Sequence, residues 1–247
     1  MKIAIAGASG MIGSRIVVEA AGRGHQITAL SRHPENIPAA PGVTAHAADV
    51  FDTAALTEAF RGCDVVIHSY APPPDPIVRA SFQNAIALNQ NPMNFFMSYV
   101  PADPPAHNAD VASRIDQQTR GTQSILAAAK AAGVPRILAV GGAGTLLVEG
   151  IRTMDRPGFP IAFEGGAKST AVVKDILRAQ NDVQWTVLCP PMSIEPGPKT
   201  GTFRLGHDDL LTAPDGSSRI TVDDFAVAMI DELEQPAHTG HRFTIAY

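Results

Sequence analysis

The sequence has few cysteines, no strongly basic run and no long apolar run, and each shortage excludes a class of protein. Its two cysteines among 247 residues fall in separate predicted strands, which excludes a disulfide framework and a CxxC site. The formal net charge of −5 argues against nucleic acid as the main partner. No apolar run is long enough to cross a bilayer, so no membrane partner is expected. A first strand at residue 2 leaves no room for a signal peptide, and a reducing cytoplasm is the simplest location.

The amino-acid composition is that of an ordinary globular domain. The hydrophobic share of 45% and the charged share of 17% are typical of such proteins, and the length allows a sizeable core. We predict a single domain, 1–247, with an insertion at about 72–107 and a small C-terminal lobe from about 190–247. His207, Asp208 and Asp209 are adjacent and lack a metal-ligand spacing, so no metal site is expected.

A strand, a glycine-rich turn and a helix open the chain. The apolar run Lys2–Ala6 predicts a buried strand, Gly7, Gly10 and Gly13 follow at spacings of three, and 14–23 has a helical pattern. Such glycines allow a tight turn, a close approach of a pyrophosphate and close helix packing. The helix start then faces the phosphates. The sequence predicts a dinucleotide site whose loop also includes Ser9, Met11 and Ile12; the alternative is an α/β domain with an empty turn.

The end of the second predicted strand bears on the choice of nicotinamide cofactor. An NAD site places a carboxylate there to hold the ribose 2′-OH, but this sequence has Ser31 and Arg32. A guanidinium suits a 2′-phosphate. We therefore favour NADP(H), with NAD(H) as the alternative cofactor and a solvated surface arginine as the alternative role of Arg32.

Strand ends further along the chain supply more candidates. In a doubly wound sheet the carboxyl ends of the strands line the ligand crevice. The predicted border residues are His68, Ser69, Tyr70, Ala71, Gly141, Cys189, Pro190 and Pro191. His68 is better explained as a core histidine, whereas Tyr70 is placed to touch a ligand. The proline-rich stretch 72–107 leaves from this edge, so we expect an acceptor lid lined by Met93, Phe95, Phe96, Met97 and Tyr99; a homodimer contact is the alternative.

Several stretches resemble the atypical short-chain dehydrogenases/reductases, within them the NADH–flavin reductase group related to NmrA-like proteins. They are Val140–Leu146, Arg156–Pro160, Trp185–Pro191, Pro196–Gly201, Ile220–Ala226, Glu232–Pro236 and Arg242–Thr244. The resemblance implies an α/β fold of the Rossmann type, a doubly wound parallel sheet with a small C-terminal substrate lobe. It also implies that Asp49 and Val50 lie near the adenine, although Asp49 equally suits a loop cap.

The catalytic residues that the resemblance implies are less complete. Such reductases place a small hydroxyl residue beside the nicotinamide, here Thr145, for which an incidental threonine in a glycine-rich turn is the alternative. Many members carry a Tyr-x-x-x-Lys pair, but the tyrosines here are Tyr70, Tyr99 and Tyr247. We take Tyr70, Thr145 and Lys168 as catalytic candidates; a solvated helix lysine explains Lys168 equally well.

These features predict hydride transfer from NADP(H) to a small-molecule acceptor of flavin, quinone or carbonyl type. Flavin is a candidate substrate because its reduction needs no dedicated tyrosine acid. A redox sensor of the NmrA-like kind, which binds the dinucleotide without turnover, is the alternative from another class. Sugar-nucleotide epimerisation is a third, weakened by the missing tyrosine.

Overall fold

The computed structural model describes residues 1–74, 76, 80, 101 and 103–247. The strands are β1 (Lys2–Ala6), β2 (Gln26–Ser31), β3 (Val43–Ala47), β4 (Val65–His68), β5 (Arg136–Val140), β6 (Leu147–Val148), β7 (Ile151–Arg152), β8 (Gln184–Cys189), β9 (Ser193–Glu195), β10 (Arg204–Gly206), β11 (Arg219–Thr221) and β12 (Arg242–Ala246). The helices are α1 (Met11–Gly22), α2 (Thr53–Phe60), α3 (Pro104–Ala131), α4 (Glu164–Arg178) and α5 (Val222–Glu234).

Eight of these strands form one sheet in the order β10-β12-β8-β5-β4-β1-β2-β3. All neighbours are parallel except β10, which runs antiparallel to β12. The chain builds outward from β1 to β3 and then returns to add β4 on the other side, where Ile3 pairs with Val65. Ligands bind at such a reversal, outside the carboxyl ends of the strands. This confirms the predicted Rossmann-type doubly wound sheet.

Apolar strands place a core on each face of the sheet. Residues 3–6 and 65–68 are fully or almost fully buried, as expected for parallel strands that are covered on both sides. One core packs the sheet against α1 and α5, and the other packs it against α2, α3 and α4. Helices therefore flank the sheet and leave its carboxyl edge to the loops.

Side-chain hydrogen bonds cap the starts of α3 and α5. Thr221 caps α5, because its hydroxyl accepts a hydrogen bond from the amide of Asp224 at 3.2 Å. Asp103 caps α3 in the same way through the amide of Ala106 at 3.1 Å. Since prolines suit the first helical turn, α3 begins at Pro104. It takes in the last residues of the predicted insertion, whose aromatic and methionine residues at 93–99 lie outside the described part of the chain.

Two C-terminal strands extend the main sheet. β10 pairs with β12 in antiparallel orientation at the edge of the main sheet, so these strands of the expected C-terminal lobe, 190–247, belong to that sheet. A smaller parallel pair, β9 with β11, lies apart from it. Tyr247 ties this pair to α5, because its hydroxyl donates to the Asp224 carboxylate at 2.6 Å.

Candidate functional site

The glycine-rich turn brings the end of β1 against the end of β4. Gly7 has a φ of +89°, and a Cβ built on it would lie 2.6 Å from the carbonyl oxygen of Ser69. A Cβ on Gly13 would lie 2.1 Å from the carbonyl oxygen of Gly7. Side chains at these positions would force the turn, the strand end and α1 apart. The turn is therefore a bare backbone surface at the point where the sheet order reverses.

The start of α1 is open toward this turn. Gly10 is the N-cap residue, and no side-chain hydrogen bond from the described residues caps the helix. The first turn carries no acidic residue, so nothing in it offsets the positive end of the helix dipole. The first amide groups of a helix lack intrahelical acceptors. Together these features make a cradle that fits a pyrophosphate.

Ser31 and Arg32 stand at the end of β2, and Ser9 of the glycine-rich turn contacts Ser31 there. The hydroxyls of Ser9 and Ser31 are 2.6 Å apart, and Ser31 accepts from the amide of His33 at 3.0 Å. Arg32 is exposed. Within the described part of the chain, its guanidinium has no ion pair. The structure thus leaves a cation available beside the two serine hydroxyls.

Tyr70 lies on the β3 side of the crevice. Burial raises the pKa of Tyr70, the charge of Arg32 opposes that rise, and the charge of Asp49 adds to it. The ring meets Phe51 edge-on at 6.1 Å and lies so close to Gly121 of α3 that a Cβ there would be 2.6 Å from it. Asp49 also accepts from the amide of Phe51 at 3.0 Å, which is the loop-capping role left open above.

An open groove of about 330 Å³ continues from this cluster along α3. The Arg120 guanidinium lies 5.0 Å from the ring centroid of Phe51, a cation–π distance. The groove is lined by Phe51, Thr53, Arg120, Gln123, Ser124 and Ala127. Sequence reasoning missed the α3 residues; the signal was Gly121 inside an otherwise helical pattern.

His68 is a core residue, as its apolar strand favoured. Its side chain is 1% exposed, and Nε2 lies 2.9 Å from the hydroxyl of Thr122. Burial lowers the pKa of His68 to about 4. Gln118, one turn earlier on α3, donates from Nε2 to the carbonyl oxygen of Tyr70 at 3.2 Å. A buried polar pair on α3 therefore anchors the end of β4, and any contact of His68 with a ligand falls to its backbone.

The loop after β5 is held by contacts on its inner side. The Thr145 hydroxyl is buried and donates to the carbonyl oxygen of Gly142 at 2.9 Å, and it lies 3.8 Å from the thiol of Cys189. The carbonyl oxygen of Thr145 accepts from Arg242 at 2.6 Å. Burial raises the pKa of the Cys189 thiol, and a Cβ on Gly141 would lie 2.6 Å from that sulfur. Thr145 and Tyr70 share no neighbour among these contacts.

Lys168 is engaged with residues of the helices. Its ammonium donates to the carboxylate of Glu164 at 2.6 Å, and His107 Nε2 lies 3.1 Å from the second carboxylate oxygen. The hydrogen bond from Lys168 lowers the pKa of Glu164. The three catalytic candidates of the sequence thus occupy three separate environments.

Two features outside the crevice concern membranes and metals. No helix among them is long and apolar enough to span a membrane. Within the same ranges, no three His, Cys, Asp or Glu side chains converge as metal ligands. His207 meets the ring of His238 at 5.8 Å, whereas Asp208 pairs with Arg242. The side chains of His207 and Asp208 therefore have different partners.

Sequence comparison with known proteins finds a family that this chain matches. The sequence profile of an NAD(P)H-binding family matches residues 7–236. The protein YwnB of Bacillus subtilis (strain 168) is 31% identical over 249 residues, which cover 99% of this chain and 98% of that protein.

Two solved structures carry names that bear on activity. A "putative NADH-flavin reductase" of Streptococcus pneumoniae TIGR4 is 28% identical, with a TM-score of 0.73, and the match covers 100% of this chain and 99% of that one. A "putative epimerase" of Bacteroides thetaiotaomicron is 33% identical, with a TM-score of 0.78, covering 100% and 96%. Both share the overall fold of this chain.

Proposed function

This chain belongs to the NAD(P)H-binding family, and we propose that it is an NADP(H)-dependent reductase that passes a hydride to a small acceptor of flavin, quinone or carbonyl type. The observation that carries the proposal is the exposed Arg32 beside Ser9 and Ser31, next to the open start of α1. A guanidinium with hydroxyls at the end of β2 suits a 2′-phosphate, whereas an acidic residue there would suit the ribose of NAD.

The glycine-rich turn and the start of α1 are proposed to hold the pyrophosphate of the cofactor. Gly7, Gly10 and Gly13 keep side chains away from the pyrophosphate, and the amides of Met11 and Ile12 face it. The bound cofactor supplies the hydride, while the protein orients and shields the reacting groups. The charges of Arg32 and Asp49, which act on the pKa of Tyr70, support a position beside the adenosine half.

The loops after β5 and β8 are proposed to border the nicotinamide. The Thr145 hydroxyl donates its hydrogen bond to the carbonyl oxygen of Gly142. This favours a role in holding the loop over a role as proton donor. The Arg242 bond to the Thr145 carbonyl fixes the same loop from the C-terminal strand. Pro190 and Pro191 then close the nicotinamide side.

Two other functions fit the same dinucleotide site. Epimerisation is suggested by the name of one similar structure, but it calls for an acid–base residue, and the sequence has no Tyr-x-x-x-Lys pair. A redox sensor would bind the dinucleotide and reduce nothing. Turnover with an acceptor separates the reductase from both.

Cofactor titrations test the proposed preference. Wild type should bind NADPH more tightly than NADH, and Arg32→Ala should weaken NADPH binding by roughly 10- to 100-fold while leaving NADH binding unchanged, because one charge-assisted contact contributes about 1.5–3 kcal/mol. Arg61→Ala is the matched control, since Arg61 is exposed and pairs only with Glu58 in the described structure. Equal affinities of wild type for the two cofactors would contradict the assignment.

A further inference from the structure

Helix α3 crosses the end of β4 with three residues of one helical face. Thr122 lies 2.9 Å from the imidazole of His68, and Gln118 donates from Nε2 to the carbonyl oxygen of Tyr70 at 3.2 Å. Gly121 is buried, and it lies three residues after Gln118, so it belongs to the same face. The helix therefore holds both the last residue of β4 and the residue two positions beyond it.

Gly121 leaves the space that the Tyr70 ring occupies. A Cβ on Gly121 would lie 2.6 Å from Cε1 and 2.9 Å from Cδ1 of this ring, well inside the ordinary separation of carbon atoms in contact. The ring itself is half-buried. The charges of Arg32 and Asp49 act on its hydroxyl, so the ring lies between α3 and the residues that follow β2 and β3.

The Tyr70 backbone is held from two sides. A Cβ built on Gly7 would lie 2.8 Å from the Tyr70 amide nitrogen, so this backbone already packs against the glycine-rich turn. The hydrogen bond from Gln118 holds the Tyr70 carbonyl on the other side. Helix α3 is fixed as well, because Ile125 is buried in the core beneath it. A side chain in place of Gly121 would therefore turn the ring or push the strand end onto the turn.

Neighbouring side chains restrict sideways movement of the ring. Phe51 meets the Tyr70 ring edge-on at 6.1 Å. The Arg120 guanidinium lies 5.0 Å from the ring centroid of Phe51, a cation–π distance that holds Phe51 in place. A Tyr70 ring displaced from α3 therefore moves toward Arg32 and Asp49, into the part of the crevice proposed for the adenosine half of the cofactor.

Resting on the proposed NADP(H) site, we propose that Gly121 is a positioning residue for the adenosine half of the cofactor. Because it leaves room for the Tyr70 ring against α3, it keeps that ring out of the space that the adenosine half occupies. Gly121 acts through Tyr70 and touches no reacting atom. It therefore sets the affinity for the cofactor rather than the rate of hydride transfer.

Double variants test the coupling between Gly121 and the Tyr70 ring. Gly121→Ala should raise the dissociation constant of adenosine 2′,5′-bisphosphate, a probe that lacks the nicotinamide half, at least about tenfold. In a Tyr70→Ala background the same step should change this constant less than about twofold, because the ring is gone. Tyr70→Phe keeps the clashing ring carbons, so in that background the full rise should remain. Gly22→Ala is the matched control and should bind as wild type does, since a Cβ there meets nothing within 4 Å.

Turnover with menadione as acceptor is the second readout. Gly121→Ala should raise the KM for NADPH at least about tenfold and leave kcat at saturating NADPH within about twofold of wild type. A change that merely loosened the fold would not separate the two constants in this way. If Gly121→Ala fails to fold, the variant that combines it with Tyr70→Ala decides, because relief of the clash predicts that it folds and binds the probe as Tyr70→Ala does.

The binding cycle separates the role of Gly121 from the reductase proposal. Equal dissociation constants in wild type and Gly121→Ala would overturn the role of Gly121 and leave the reductase intact, as would an equal rise in the Tyr70→Ala and Tyr70→Phe backgrounds. Wild type that binds the probe but reduces no acceptor would refute the reductase, while the binding cycle would still decide the role of Gly121. Wild type that does not bind the probe would overturn both.

Discussion

Protonation of His68 should make the fold sensitive to acid. Its imidazole is buried beside Thr122, and burial lowers its pKa to about 4 from the ordinary 6.5. On acidification, His68 is protonated near pH 6.5 in the unfolded chain but only near pH 4 in the folded protein. The free energy of unfolding therefore falls as the pH drops through this window, and is restored above it.

The size of the effect follows from the two pKa values. Between about pH 7 and about pH 5 the His68 contribution lowers the free energy of unfolding by about 2 kcal/mol, and it levels off at about 3 kcal/mol in stronger acid. His68→Gln keeps a hydrogen-bonding partner for Thr122 and removes the titration. The variant should therefore lose about 2 kcal/mol less than wild type between the two pH values.

Urea unfolding of wild type and His68→Gln at the two pH values measures this difference. Val66→Ala is the control, because Val66 is a fully buried, non-titrating neighbour on β4; it should lower stability equally at both pH values. Parallel losses in wild type and His68→Gln would refute the assignment of the acid sensitivity to the buried imidazole.

Two further predictions concern the turn and the C-terminal strands. Gly13→Ala places a methyl against the Gly7 carbonyl, so it should lower the free energy of unfolding by about 2 kcal/mol and weaken NADPH binding at least about tenfold. A Cβ on Gly22 meets nothing within 4 Å, so Gly22→Ala should raise the free energy of unfolding by about 0.5–1 kcal/mol. Urea unfolding and NADPH titration check both variants, and equal effects would argue against the close packing. Tyr247→Phe should lower the free energy of urea unfolding by about 2 kcal/mol through the lost bond to Asp224, with NADPH affinity unchanged; a weakened affinity would place Tyr247 in the site.

The sequence was informative where one residue decides one local geometry. Gly7 and Gly13 could be predicted as obligatory because a strand and a helix flank them, and the contacts that exclude a Cβ are backbone contacts. Thr221 could be predicted as a cap because its hydroxyl reaches an amide three residues on. The doubly wound sheet was expected from the opening strand, turn and helix together with the family resemblance.

Side-chain direction at the strand ends could not be predicted in the same way. Tyr70 packs on Gly121, a residue 51 positions later, and that pairing depends on where α3 crosses the sheet edge. The Thr145 hydroxyl turns inward to its own loop, a choice that the loop conformation makes.

The central claim is that the crevice supports hydride transfer rather than binding alone. Anaerobic mixing of the NADPH-loaded protein with riboflavin, using NADPH deuterated at either face of nicotinamide C4, tests it directly. The account predicts flavin reduction faster than in the absence of protein and a primary isotope effect with one of the two deuterated cofactors only. Tight NADPH binding with no acceleration, or acceleration with no isotope effect from either face, would contradict it.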